Sequence, residues 1–87
     1  MDYAELTWTD IEQLDPETIF FLSVSPMEEH GPHLPVGTDL YVARAVEQRV
    51  MQRLDPEHSV VSLPSLPIGA CRMARDFPGS MSMDWRA

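Results

Sequence analysis

The sequence has no lysine, no asparagine and a single cysteine, Cys71. The absence of lysine excludes Schiff-base catalysis, lysine general bases and P-loop phosphate binding. One cysteine excludes an intrachain disulfide framework and a zinc site built from thiolates alone. The 6 basic residues are all arginines, and the 14 acidic residues give a net charge of −8, which repels phosphate backbones. We therefore expect no binding to nucleic acid.

Long apolar runs are also lacking. No wholly apolar run is longer than residues 19–22, whereas a membrane-spanning helix needs about 20 apolar residues. Residues 1–5 have neither the basic nor the apolar region of a signal peptide. We expect a soluble, cytoplasmic protein without membrane association, and its 87 residues suffice for one domain at most.

Two short elements are predicted in the first quarter of the chain. Thr9 is followed three residues later by Glu12, a spacing typical of a capping box, which predicts a short helix near residues 10–14. Residues 18–24 are β-branched, aromatic and almost continuously apolar. That composition favours a strand buried on both faces of a parallel sheet.

A longer helix and a second strand follow. Apolar residues at helical spacing predict a helix over residues 39–54, with an apolar face formed by Val42, Ala43, Val46, Val50 and Leu54. Residues 59–63 predict a strand, and residues 64–87 a long loop with a short strand near 80–83. The order strand, loop, helix, strand is that of a βαβ unit, so the predicted class is α/β with a mainly parallel sheet.

Two strands and one crossover helix do not make a stable parallel sheet, which needs more strands and cover on both faces. We therefore expect residues 1–87 to form an incomplete single domain. The chain would then be the N-terminal part of a larger α/β domain, or a component of an assembly.

Three side chains with metal-binding chemistry lie near the predicted first strand and helix, namely Glu28, His30 and Asp39. Pro32 and Pro35 disfavour helix in the residues before them, so the segment is predicted to be extended. Residues two apart in an extended segment point the same way, which directs Glu28 and His30 together. The loop follows the carboxyl end of a strand, where open α/β sheets bind their ligands.

Two carboxylates and an imidazole suit zinc, manganese or ferrous iron. Other interpretations stay open at this point. Glu28 could be a solvated loop acid, His30 a loop histidine bonded to the backbone, and Asp39 a helix cap. Cys71 is expected to be a structural or incidental thiol, although the adjacent Arg72 would lower its pKa. Trp8 and Trp85 are expected to pack internally or at an interface.

The contiguous run of residues 28–39, Glu-Glu-His-Gly-Pro-His-Leu-Pro-Val-Gly-Thr-Asp, resembles the signature of the creatininase family, with Glu29 in place of the usual glutamine. Residues 77–80, Phe-Pro-Gly-Ser, resemble a second family segment, usually Phe-Pro-Gly-Thr. The resemblance implies the N-terminal βαβ part of a three-layer α/β/α domain. It also implies a homo-oligomer, usually a hexamer, and two divalent ions (Zn, Mn or Fe) per complete site. The implied activity is hydrolysis of a C–N bond in a small cyclic or linear amide by a metal-activated water.

Matched residue by residue, Glu28 and His30 correspond to the family's first metal ligands, and Asp39 to the aspartate that bridges both ions. His33 matches the motif and is expected to support the ligands without binding metal. The family's other ligands, a histidine in an Asn-Gly-His segment and a later glutamate, have no counterpart, and Met73-Ala74 stand where many relatives have Glu-His. No catalytic residue is assigned in this portion. The alternative is a truncated, catalytically incompetent fragment that binds a metal or a partner.

Overall fold

The computed structural model describes residues 1–84 and Arg86. The helices and strands are α1 (Trp8–Glu12), β1 (Ile19–Phe21), α2 (Thr38–Leu54) and β2 (Val60–Ser62), with short 3-10 turns at Tyr3–Glu5 and Arg72–Ala74. The strands β1 and β2 pair in parallel through the α2 crossover, with Ile19 opposite Val60. The predicted α/β class and the order of its elements are therefore confirmed.

The pairing between the two strand segments continues beyond the regular strands. The Leu66 N–H donates to the Ser23 carbonyl at 2.8 Å, and the Ser25 N–H donates to the Leu66 carbonyl at 2.9 Å. Val24 and Leu66 form an isolated parallel bridge at the same level. The prediction of a strand over residues 18–24 is thus right in position, although its regular part is shorter.

The burial of β1 differs from the prediction. Phe20, Leu22 and Val24 are 47%, 50% and 57% exposed, whereas Ser23 and Ser25 are buried. Alternate residues of a strand point to opposite faces, so one face of this segment is covered and the other is open. The prediction of a strand buried on both faces is wrong for β1, because α2 lies against a single face.

Helix α2 begins one residue before the predicted start and ends at the predicted residue. Its inward face, however, is not the predicted apolar one. Val42 and Val46 are exposed, and the buried residue of the helix is Glu47. Its carboxylate accepts hydrogen bonds from the hydroxyls of Ser23 and Ser62, one from each strand segment. The strands present hydroxyl groups where an apolar surface was expected, and those hydroxyls need a buried acceptor.

The first residues of the chain add a third segment beside β2. The Met1 amino group donates to the Val60 carbonyl at 3.0 Å, and the Ser62 N–H donates to the Met1 carbonyl at 2.8 Å. Asp2 and Ser62 form a parallel bridge. This segment was not predictable from the sequence, because so short a stretch has no periodicity of apolar residues.

Helix α1 is capped two residues earlier than predicted. The Thr7 hydroxyl accepts from the Asp10 N–H at 3.2 Å, and the Asp10 carboxylate accepts from the Thr7 N–H at 2.9 Å, which completes a capping box. Thr9 lies inside the helix, so the predicted cap at Thr9 is wrong. The Thr7 N–H and the Thr7 hydroxyl, which donates to Asp10 Oδ2 at 2.8 Å, both hold the pKa of Asp10 below its ordinary value.

Replacing Thr7 by alanine is expected to destabilise the protein by about 1 kcal/mol, the usual contribution of an N-cap side chain. The pKa of Asp10 should rise because the side-chain hydrogen bond is lost. Urea denaturation and an NMR titration of the Asp10 carboxyl measure the two effects. Glu12→Ala, at an exposed position of the same helix, is the matched control; an equal loss of stability in that variant would contradict the assignment of the cap.

Residues 64–84 form a loop that returns to the strand ends. The predicted strand near 80–83 is reduced to a single parallel bridge between Gly69 and Ser82. Within the described part of the chain, no helix is long and apolar enough to cross a membrane. Trp8 is 75% exposed, and Trp85 lies outside the described residues.

Candidate metal centre

The loop between β1 and α2 (residues 22–37) brings the candidate ligands to the carboxyl end of β1. The Glu28 N–H donates to the Val36 carbonyl at 3.2 Å, which closes the loop on itself. Gly31 has a φ of 75°, a left-handed conformation that side-chain-bearing residues rarely adopt. This turn reverses the chain directly after His30. Residues 28 and 30 therefore stay on the inner side of the loop, near the start of α2.

Glu28, His30 and Asp39 converge at this point. One ligand atom from each lies within 4.8 Å of the other two, and all three residues are partly buried. Asp39 lies in the first turn of α2, where the N-cap is Gly37 without a side-chain hydrogen bond. Asp39 is therefore not the N-cap of this helix, and its carboxylate faces His30 instead.

The imidazole of His30 is oriented by a hydrogen bond at each nitrogen. Its Nδ1 lies 3.1 Å from the Glu28 carbonyl oxygen and its Nε2 lies 3.0 Å from Asp39 Oδ1. A carbonyl oxygen can only accept, so Nδ1 carries a proton. The pKa of His30 is raised, chiefly by the hydrogen bond to the Glu28 carbonyl and further by the Asp39 carboxylate, against partial desolvation. This geometry leaves Nε2 as the nitrogen available to a metal ion.

The carboxylate of Glu28 has a second neighbour, which lies far from it in the sequence. The Cys71 thiol donates to Glu28 Oε2 with a sulfur–oxygen distance of 2.8 Å. This hydrogen bond and burial raise the pKa of Cys71, which is opposite to the effect expected from Arg72. The two residues are 43 positions apart, so no local sequence pattern could link them.

The segment that contains Cys71 and the Phe-Pro-Gly-Ser motif, residues 71–82, lies against the β1–α2 loop; we call it the clasp segment. The Ser80 hydroxyl accepts from the Glu29 N–H at 3.0 Å, and the Met81 N–H donates to the Met27 carbonyl at 2.8 Å. The clasp segment thus contacts the loop on both sides of Glu28.

The remaining motif residues lie at the periphery. His33 is exposed, and its ring atoms are 3.2 Å from where a side chain on Gly31 would begin. Its support of the ligands stays a prediction. Glu29, which replaces the usual glutamine, accepts from the Gly31 N–H at 2.9 Å through its Oε2. It therefore stabilises the turn after His30.

The donor set fits a divalent cation. Two carboxylates compensate the charge of a dication, and a neutral imidazole adds a nitrogen ligand, a combination suited to zinc, manganese or ferrous iron. The ligand atoms of Glu28, His30 and Asp39 are near enough to one another to bind one ion. Glu28 contacts the clasp segment, and Asp39 lies in the first turn of α2.

The sequence was compared with protein families and known proteins. The family described as creatinine amidohydrolase matches residues 4–87. A mycofactocin precursor peptide peptidase of Mycolicibacterium smegmatis is 36% identical over 62 residues, covering 69% of this chain and 25% of that protein. A creatinine amidohydrolase of Pseudomonas putida is 28% identical over 88 aligned residues, covering 93% of this chain and 32% of that protein.

The chain therefore spans between a quarter and a third of the length of these curated relatives, from 25% to 32%. No solved structure matches it significantly. The match to the family covers nearly all of the chain, including both segments that contribute to the candidate metal centre. The chain belongs to the creatininase family.

Proposed function

We propose that this chain is the N-terminal part of a metal-dependent amidohydrolase that hydrolyses a C–N bond in a small cyclic or linear amide. The convergence of Glu28, His30 and Asp39 at the carboxyl end of β1 carries this proposal. Membership of the creatininase family supports a hydrolase, and both relatives are named for the cleavage of amide or peptide bonds.

In the proposed site, Glu28, His30 and Asp39 would hold a divalent ion, and Asp39 would also serve a second ion in the complete site. When bound, such ions polarise an amide carbonyl and activate water. His30 binds through Nε2, because its Nδ1–H is fixed on the Glu28 carbonyl. Asp39 uses the carboxylate that otherwise accepts from His30. The ions proposed are zinc, manganese or iron, and the residue that moves protons to the leaving nitrogen is not assigned to this portion.

The proposed parent domain has three layers, α/β/α, and assembles as a cytoplasmic homo-oligomer, a hexamer by family resemblance. The open face of the β1 segment supports a further layer. Phe20, Leu22 and Val24 present an apolar surface there, and a parallel sheet is stable when both faces are covered.

A second candidate is a chain that binds a metal or a partner protein without turnover. One observation favours it: within the described residues, the metal-binding group consists of three side chains. Three protein donors and a water complete the shell of one catalytic zinc ion, but not the shells of two ions. Two ions would need still more ligands.

The two candidates are separated by measuring metal content and turnover on the same preparation. For the complete protein that contains this chain we expect about one or two bound zinc or manganese ions per chain and hydrolysis of creatinine or a short peptide amide, whereas residues 1–87 alone are expected to be inactive. A chelator should abolish this hydrolysis, and added metal should restore it. Bound metal without hydrolysis of any amide tested would favour the second candidate. Absence of bound metal under saturating zinc and manganese would contradict both.

A further inference from the structure

We infer that the clasp segment positions the candidate metal ligands, and that Ser80 and Cys71 are its positioning residues. Ser80 fixes the backbone between Glu28 and His30, and Cys71 fixes the carboxylate of Glu28. This inference rests on the proposed function as far as metal binding is concerned. The placement of the loop can also be tested without metal.

The first contact is at Glu29, whose peptide N–H donates to the Ser80 hydroxyl at 3.0 Å. Glu29 separates the two candidate ligands of the loop, so a restraint on its backbone restrains both neighbours. The bond joins residues 51 positions apart. Ser80 is partly buried, which limits competition from water for this N–H.

Two further contacts lie on either side of that bond. The Met81 N–H donates to the Met27 carbonyl at 2.8 Å, directly before Glu28. Gly79 has a φ of 86°, and a side chain there would begin 3.3 Å from Val36 Cγ1. Since the Glu28 N–H is bonded to the Val36 carbonyl, the clasp segment contacts both sides of the loop where it closes.

The fourth contact acts on a candidate ligand directly. The Cys71 thiol donates to Glu28 Oε2, and the Cys71 N–H donates to the Ser82 hydroxyl at 2.9 Å. The thiol is therefore anchored at its own backbone. A hydrogen bond to one carboxylate oxygen sets the rotation of the carboxyl group, in the way that groups behind metal ligands commonly orient them.

The segment also supplies a matched control. Met73 lies between Cys71 and Ser80 and is 99% exposed. Met73→Ala therefore alters the clasp segment without removing a contact to the β1–α2 loop.

The test without metal is amide hydrogen exchange at Glu29, followed by NMR. In Ser80→Ala the Glu29 amide loses its acceptor, and we expect its exchange to become at least about tenfold faster. Ser80→Thr keeps the hydroxyl and should retain the slow rate, as should Met73→Ala. Equal exchange rates in Ser80→Ala and the unaltered protein would overturn the assignment of Ser80.

The test with metal is a zinc titration by calorimetry. Ser80→Ala and Cys71→Ala should each weaken zinc binding about tenfold, within the 10- to 100-fold range known for groups that orient ligands. Ser80→Thr, Cys71→Ser and Met73→Ala should stay within about threefold of the unaltered protein. Unchanged zinc affinity in both alanine variants would overturn the inference.

Cobalt substitution separates a positioning residue from a ligand. If the Cys71 thiol only orients Glu28, the cobalt-loaded protein has no thiolate-to-cobalt absorption in the near ultraviolet. Such a band, lost in Cys71→Ser, would make Cys71 a ligand and overturn its positioning assignment. If the unaltered protein binds neither zinc nor cobalt, the proposed function fails, and the exchange rates at Glu29 still decide whether Ser80 holds the loop.

Discussion

Asp39→Ala is expected to abolish the binding of at least one divalent ion in the full-length protein. Asp39 contributes a carboxylate to the cluster with Glu28 and His30, and the remaining two donors leave a site with a single negative charge. Groups that merely orient ligands contribute 10- to 100-fold to metal affinity, so loss of a ligand should cost more than about 100-fold. Metal analysis after equilibrium dialysis against zinc or manganese measures the change.

Asp55→Ala provides the control for charge. Asp55 follows the last residue of the same helix and is exposed, so this variant loses the same charge far along α2 from the cluster. We expect it to bind metal like the unaltered protein. Wild-type metal content in Asp39→Ala, in a folded protein, would count decisively against Asp39 as a ligand.

Glu47→Ala is expected to lower the free energy of unfolding by about 3 kcal/mol. The carboxylate of Glu47 is the acceptor for two hydroxyls, those of Ser23 and Ser62. A buried polar group without a partner costs about 1–3 kcal/mol, and the removed side chain leaves a gap between helix and sheet. Single domains have free energies of unfolding of only about 5–15 kcal/mol. The expected loss is therefore a large fraction of the total. Urea denaturation monitored by circular dichroism measures the loss.

Two matched variants test the cause. The triple variant Ser23→Ala, Glu47→Leu, Ser62→Ala removes donors and acceptor together, and should come within about 1 kcal/mol of the unaltered protein, because replacing all partners by apolar groups is nearly neutral. Gln48→Ala changes the exposed neighbour in the helix and should have little effect. A Glu47→Ala protein as stable as the unaltered one would refute the assignment of Glu47 as a buried acceptor.

The elements of the fold were predictable because each has a local signal. The helical spacing of apolar residues placed α2 to within one residue. The apolar, β-branched stretches located both strands, although the regular strands are shorter. The direction in which α2 faces the sheet was not predictable, since it depends on serine hydroxyls from two distant strand segments that bind Glu47.

In the candidate site, too, the features with a local signal were predictable and the long-range contacts were not. The convergence of Glu28, His30 and Asp39 was expected from the prolines of the loop and from the start of the helix, all within one short stretch. Cys71 and Ser80 were not connected with it, because their contacts span 43 and 51 residues. These contacts form because the loop of residues 64–84 folds back on the β1–α2 loop. Neither the periodicity of apolar residues nor the spacing within a motif predicts such a return.

The half-exposed side chains of Phe20, Leu22 and Val24 have a consequence for how this chain behaves in concentrated preparations. At neutral pH its net charge of −8 keeps molecules apart. Near the isoelectric point, about 4.5, that mutual repulsion disappears, and the apolar side chains of different molecules can meet. Acidification toward this pH should therefore produce isoelectric precipitation, and added salt should reduce colloidal stability at neutral pH by screening the same charges.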